Sequence, residues 1–292
     1  MLMVEWDNGR GLNSILSHIL NNGVSQSNSR TGQNTLSCLG VTVVVGEGEF
    51  TFTTNLLASP RLAFEEMMLF LRGSPNTKLL EEKGVNFWRG NTSREFLDSR
   101  GLSFPEGSLG RAYSAQWRDF GGVSGVGCDQ LKVLLESLEE DPEGRRHIVS
   151  LWNPAESHLM PLLPCWFMSQ YVVMDGKLSV ILTNRSCDVT FGMRYALQNY
   201  ALFQRMLCRM FGFEVGEIIA SIGHAHIYEN QLEYVEELLV RDFPEPHSCI
   251  RLKDNVVISD LYSLLNIEWS DWDMMYEFNK TPFINKRPEM VV

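Results

Sequence analysis

Leu178-Ser179-Val180-Ile181-Leu182 runs directly into Thr183-Asn184-Arg185-Ser186-Cys187-Asp188, and this stretch decides how the chain reads. Its first half is apolar enough for a buried strand. Its second half sets a guanidinium, a hydroxyl and a carboxylate at that strand's end, where α/β proteins place ligands. Upstream stands Leu163-Pro164-Cys165-Trp166. A cysteine between proline and tryptophan reads two ways. It is a buried structural thiol, the commonest fate of the residue, or it is a nucleophile whose thiolate a neighbouring arginine would stabilise.

Working outward, Met168–Val173 and Leu178–Leu182 are predicted as a hairpin around Met174-Asp175-Gly176-Lys177. Apolar spacing predicts helices over Leu12–Leu20 with a stop at Gly23, over Arg61–Arg72, Asp129–Glu140 and Ala196–Phe211, and over Asn230–Leu239. Further strands are predicted at Leu36–Val45, Phe50–Thr54, Ile148–Trp152, Ile218–Ile222 and Val256–Ile258, with Ser27–Gly32 as a polar loop carrying Arg30. The irregular mixture of strands and helices, without repeat or low-complexity linker, predicts one α/β (α+β) domain over residues 1–292.

Composition narrows the function. The 292 residues are 44% hydrophobic and 21% charged, an ordinary globular balance, and the net charge of -11 argues against a DNA-binding protein. No apolar run is long enough to span a membrane, and the N-terminal residues lack a basic secretory n-region. The six cysteines form no CxxC pair, so no metal site is expected, and their scatter suits a reducing, cytoplasmic compartment.

Three clusters are able to grip an anion: Arg30, the Arg145-Arg146 pair, and Arg185 with Ser186. Taken singly, each arginine is as readily a solvated surface residue. Glu66 lies near the apolar side of its helix, where a carboxylate is costly without a partner. His226-Ile227-Tyr228 follows another strand. A thiolate combined with a phosphate grip points to covalent attack on a phosphorylated substrate. No histidine adjoins Cys165 and no Cys-x5-Arg spacing follows it, which disfavours a cysteine protease or tyrosine phosphatase.

The ordered set Ser29-Arg30-Thr31-Gly32, Glu66 to Gly73, Lys83 to Asp98, Gln116-Trp117-Arg118, Asp129-Gln130-Leu131, Arg145-Arg146, Trp152-Asn153-Pro154, Pro164-Cys165, Arg185-Ser186-Cys187-Asp188-Val189, Ala225-His226-Ile227-Tyr228 and Met290-Val291-Val292 resembles the thymidylate synthase family along nearly the whole chain. The resemblance implies one domain with a large twisted mixed sheet, dimerising sheet on sheet. It implies a deoxypyrimidine monophosphate substrate and methylenetetrahydrofolate as co-substrate. Cys165 resembles the nucleophile that adds to carbon 6 of the pyrimidine, so that carbon 5 can take a one-carbon unit. Glu66 resembles the general acid/base, and Tyr113 and Asp188 belong with the catalytic set. Arg30, Arg185 and Ser186 resemble the phosphate ligands, and Arg145 and Arg146 the pair that reaches into the partner's site. His226 and Tyr228 correspond to the ribose contacts. Trp88, Asn91, Asp188 and the terminal Val292 correspond to the folate side.

Four positions depart from the synthase pattern. Trp166 replaces a histidine after the nucleophile. Ala196 stands where an asparagine reads the base, and His224 replaces an aspartate. Asn55-Leu56 replaces a basic pair. Together with Phe191-Gly192-Met193-Arg194, these resemble the phage-type hydroxymethylase branch, which would act in a host cytosol on nucleotides for DNA modification. The expected activity is therefore dUMP hydroxymethylation, with thymidylate synthesis or dCMP hydroxymethylation as alternatives. A non-enzymatic binding member of the fold is a remote one. Trp166, Ala196 and His224 join the expected substrate-binding set.

Overall fold

The predicted hairpin is the centre of the sheet. In the structure, a computed structural model that describes residues 1–28, 31–53, 58–241 and 249–275, strand β5 (Trp166–Met174) turns into the antiparallel strand β6 (Lys177–Asn184). Asp175 and Gly176 hold φ of 50° and 73°, the left-handed pair that a two-residue Asp-Gly hairpin turn requires. Strand β6 then pairs in parallel with β8 (Glu214–Tyr228). Parallel neighbours need a crossover connection, and helix α7 (Gly192–Phe211) supplies it.

Strand β8 continues antiparallel along β3 (Gln33–Val45), which also carries β1 (Leu2–Glu5) in parallel and β2 (Val24–Asn28) antiparallel. Strand β4 (Ile148–Ser150) closes the far edge on β5, and the short β7 (Cys187–Asp188) runs parallel to β8. The result is an eight-stranded mixed sheet of order β1-β3-β8-β6-β5-β4, with β2 and β7 paired off that path. Strands β9 (Cys249–Leu252) and β10 (Trp272–Met275) form a separate antiparallel pair.

Helices cover one face. Along β6 the residues alternate, with Leu178, Val180, Leu182 and Asn184 buried and the intervening residues half-buried. Each apolar side chain so buried contributes about 1.5–3 kcal/mol. Helix α7 lies on this side and packs against α2 (Pro60–Leu71). Helices α1 (Arg10–Asn22), α6 (Gln130–Glu140) and α8 (Leu232–Leu239) pack around the same core, joined by the shorter α3 (Lys78–Glu82), α4 (Arg94–Ser99), α5 (Tyr113–Arg118) and α9 (Leu261–Leu265).

Several expectations need correction. The first two residues of the polar loop expected at Ser27–Gly32 belong instead to the strand Val24–Asn28, held by main-chain pairing at an exposed position where no apolar pattern marks it. Phe50–Thr53 is buried but forms no strand; the Trp6 indole donates to the Phe52 carbonyl at 2.8 Å instead. Val256–Ile258 is not a strand, and Cys249–Leu252 is. Strand β8 runs far beyond Ile218–Ile222, because β3 pairs with it from His224 to Tyr228 and β7 pairs with Ala225 and His226 on its other side.

The parallel join has a weak point that α7 repairs. The β6–β8 register shifts between Leu178 and Val180, and the buried Gln204 amide donates to the carbonyls of Leu178 at 2.7 Å and Gly216 at 3.1 Å. A Gln204→Leu variant leaves those acceptors buried without this donor, so chemical denaturation should show a loss of about 1–3 kcal/mol.

Candidate active site

Because β6 and β8 are parallel, their C-terminal ends open on the same side of the sheet. Strand β7 extends that end, with Cys187 opposite Ala225 and Asp188 opposite His226. A cavity of about 370 Å³ opens there, a size ordinary for small-molecule sites. It brings together Cys165, Arg185, Ser186, Asp188, His226 and Tyr228 from the sheet side and Glu66, Trp88, Asn91 and Tyr113 from the helical side. Trp166, Ala196 and His224 line it as well. Residues scattered over more than 160 positions therefore share one wall, as the motif order implied.

Cys165 immediately precedes β5 and is half-buried. Its N–H donates to the Tyr113 hydroxyl oxygen at 2.7 Å, and its carbonyl accepts from the Arg185 N–H at 2.9 Å. The Arg185 guanidinium donates to the carbonyls of Leu163 and Pro164 at 2.7 and 3.0 Å, and its Nη2 lies 3.5 Å from the Cys165 sulfur. These main-chain acceptors fix the guanidinium without cancelling its charge, which stays available to a thiolate or to an incoming anion. Cys187 is the contrast. It is 3% exposed, and burial, Asp188 and Cys165 push its thiol well above the ordinary range, so it is inert.

Two acids, the buried Glu66 and the half-buried Asp188, flank the cavity. Glu66 accepts from the Trp88 indole at 2.7 Å and from the Asn199 amide at 2.8 Å. Burial raises its pKa despite both donors. The partner that a carboxylate on the apolar side of α2 demanded is thus present. Asp188 accepts from the main-chain N–H groups of Thr190 and Phe191 at 2.9 and 3.2 Å and from Gln231 at 2.9 Å, and burial raises its pKa too. Burial and the nearby Cys165 push the Tyr113 phenol well above its ordinary value, so it keeps its proton. Phe70 stacks on Tyr113 at 4.9 Å, and Trp88 meets Tyr113 edge-on at 5.7 Å. These rings make one end of the cavity apolar.

Not every expected residue converges here. Arg145 and Arg146 are exposed and do not line the cavity; Arg146 pairs with Asp141 at 3.3 Å on the surface. Arg30, Asn55-Leu56 and the terminal Val292 lie outside the described residues. His224 holds the Gln26 side chain at 2.8 Å on the β2 side of the cavity. Among the described residues, no cluster of His, Cys, Asp or Glu could hold a metal, and no helix is long and apolar enough to cross a membrane.

Three side chains went unread in the sequence. Asn184 and Asn199 line the cavity, and Gln231 locks Asp188. Asn199 had a signal, since it lies one helical turn after Ala196 on the same face. Gln231 had none, because only the fold brings it to Asp188.

A half-buried thiol beside a fixed guanidinium, a protonated phenol and a buried carboxyl, all near aromatic walls, is an arrangement capable of covalent attack on a planar anionic molecule. Comparison with known proteins agrees. The family model for thymidylate synthase matches residues 11–284. A bifunctional dihydrofolate reductase-thymidylate synthase from Paramecium tetraurelia is 37% identical over 256 residues, which covers 84% of this chain and 55% of that protein. The chain spans about half the length of that curated relative. It belongs to the thymidylate synthase family, a family of one-carbon transferases.

The raised pKa of Glu66 gives a signed expectation. Below its ordinary value of 4.5 the carboxyl is protonated both folded and unfolded, and burial carries no ionisation penalty. As pH rises through and above that value, the unfolded state ionises more readily and the penalty grows. The stability of a Glu66→Gln variant relative to the native protein should therefore rise from pH 4 to pH 7, as read by denaturant midpoints at each pH.

Proposed function

We propose that the protein transfers a one-carbon unit from methylenetetrahydrofolate to carbon 5 of dUMP and completes it as a methyl group. The observation that carries this is the Arg185 guanidinium 3.5 Å from the Cys165 sulfur inside the shared cavity. Arg185 and Ser186 hold the phosphate, joined by Arg30, and His226 and Tyr228 hold the sugar. The Cys165 thiolate adds to carbon 6 and makes carbon 5 nucleophilic. The folate supplies the one-carbon unit, and Trp88, Asn91, Asp188 and Val292 form its side of the site. Glu66 organises protons at the base, held between Trp88 and Asn199.

The packed rings of Phe70, Trp88 and Tyr113 support a methyl product, since a dry pocket favours hydride delivery over attack by water. A second reading, hydroxymethyl transfer with water as the last reactant, is favoured by Trp166, Ala196 and Arg194. The first two line the cavity without the synthase side chains, and Arg194 is buried in the first turn of α7.

The described residues share one apolar core, which supports one catalytic domain. The sheet face away from the helices presents half-buried Gln170, Val172, Ile181, Thr183 and Ile219. Two copies pack through this face, and the exposed Arg145 and Arg146 reach the partner's cavity. Six free cysteines suit a cytosolic protein.

Incubation with methylenetetrahydrofolate and either dUMP or dCMP, read by product mass and folate oxidation state, tests the chemistry. The expected outcome is a methylated dUMP and dihydrofolate, with turnover lowered more than about a thousandfold by Cys165→Ala. A hydroxymethyl product with tetrahydrofolate would establish the second reading instead. Sedimentation should give a dimer. Mixed dimers that place Arg146→Ala on one subunit and Cys165→Ala on the other should keep one site with both residues only when the mutations meet in the same site.

A further inference from the structure

One guanidinium brackets the short helix that carries Tyr113. Arg111 stands two residues before Tyr113. Its Nη1 donates to Asp119 Oδ2 at 2.7 Å and its Nη2 to the Asp119 carbonyl, just past the end of α5. The same group grips Glu156 through two bonds, Nε to Oε2 at 2.9 Å and Nη2 to Oε1 at 3.2 Å. Glu156 lies in the 3-10 turn Pro154–Leu159, on the segment that leads into Cys165. Gln116, inside α5, donates to Glu156 Oε2 at 2.8 Å and to the Arg111 carbonyl at 2.6 Å.

Glu156 is 3% exposed, and its Oε1 also accepts from the Val123 N–H at 3.2 Å. Burial raises its pKa, but the Arg111, Gln116 and Val123 donors outweigh burial and hold the carboxyl below the ordinary range. The pair is therefore ionised at neutral pH. A buried ion pair adds little net stability over apolar packing, and its better use is to fix geometry. The element fixed here needs it. Helix α5 has six residues and no side chain capping its N-terminus, too short to hold its shape alone.

The geometry points to Arg111 and Glu156 as positioning residues for the Cys165 nucleophile, acting through Tyr113. Their clamp sets α5, and the Tyr113 hydroxyl at the start of α5 accepts the Cys165 N–H at 2.7 Å. The Cys165 carbonyl accepts from the Arg185 N–H at 2.9 Å. Both main-chain polar groups of the cysteine are thus held, one by each element, and the sulfur is kept 3.5 Å from the guanidinium of Arg185. Neither Arg111 nor Glu156 lines the cavity, so Tyr113 is the link between the clamp and the thiol. The inference rests on Cys165 being the nucleophile, as proposed above.

Alkylation by iodoacetamide at pH 7 tests it, read by mass on each cysteine peptide with the exposed Cys249 as reference. Native Cys165 should react faster than Cys249, since a neighbouring guanidinium favours the thiolate. Arg111→Met should slow Cys165 at least about threefold relative to Cys249, and should lower kcat on dUMP while its KM stays within about twofold. Arg111→Lys, which keeps the charge, should recover part of the rate. Glu156→Gln, close to isosteric, should slow Cys165 as well and serves if the methionine variant does not fold. Tyr113→Phe should slow Cys165 too, and adding Arg111→Met to it should change the rate by less than about 1.5-fold, because the two act in series. No slowing in the clamp variants, or the same slowing by Arg111→Met with and without the Tyr113 hydroxyl, overturns the positioning role alone. Native Cys165 that reacts no faster than Cys249 overturns the nucleophile reading and the positioning role with it.

Discussion

The site depends on where the Arg185 guanidinium is held. It is fixed by the carbonyls of Leu163 and Pro164, one segment away in the sheet, and so ties the end of β6 to the residues that lead into β5. The main-chain bond from the Arg185 N–H to the Cys165 carbonyl, at 2.9 Å, doubles that tie. Main-chain acceptors carry only partial charge, so the tie costs the guanidinium little of its field. The same residue therefore ties the main chain of the cysteine to β6, and its guanidinium lies 3.5 Å from the cysteine sulfur on the cavity wall.

The two acids obey a different constraint. Glu66 and Asp188 are acids that burial pushes toward the neutral form, and each accepts from uncharged donors, while the Arg194 charge also acts on Asp188. Trp88 and Asn199 serve Glu66; Gln231 and two main-chain N–H groups serve Asp188. Donors without full charge offset burial only in part, so both carboxyls stay above their ordinary pKa values. Helix α2 carries Glu66 and helix α7 its donor Asn199, and the crossover between parallel strands is what places α7 over the strand ends.

Much of this was legible in the residues. The β5–β6 hairpin, the amphipathic faces of α1, α2, α6 and α7, and the convergence of Cys165 with Arg185, Ser186, His226 and Tyr228 all followed from apolar period and motif order. Glu66 was marked because a carboxylate on an apolar face demands a partner. What failed has physical causes. Val24–Asn28 has no apolar alternation, since its pairing is through the main chain. His224 and His226 read as lying past a strand's end because their polarity hides a strand that main-chain pairing with β3 carries on. Gln116, Asn153 and Glu156 form a buried network with Arg111 that braces the turn before Cys165, and no local spacing announces it.

The most direct measurement is a mass map of the protein after mixing with methylenetetrahydrofolate and 5-fluoro-dUMP. Fluorine at carbon 5 cannot leave as the proton does, so a covalent complex formed there accumulates. The expected result is nucleotide and folate mass on the peptide that contains Cys165, lost in Cys165→Ala. No adduct, or an adduct on the peptide of Cys187 instead, would contradict Cys165 as the nucleophile and with it the role given to Arg185.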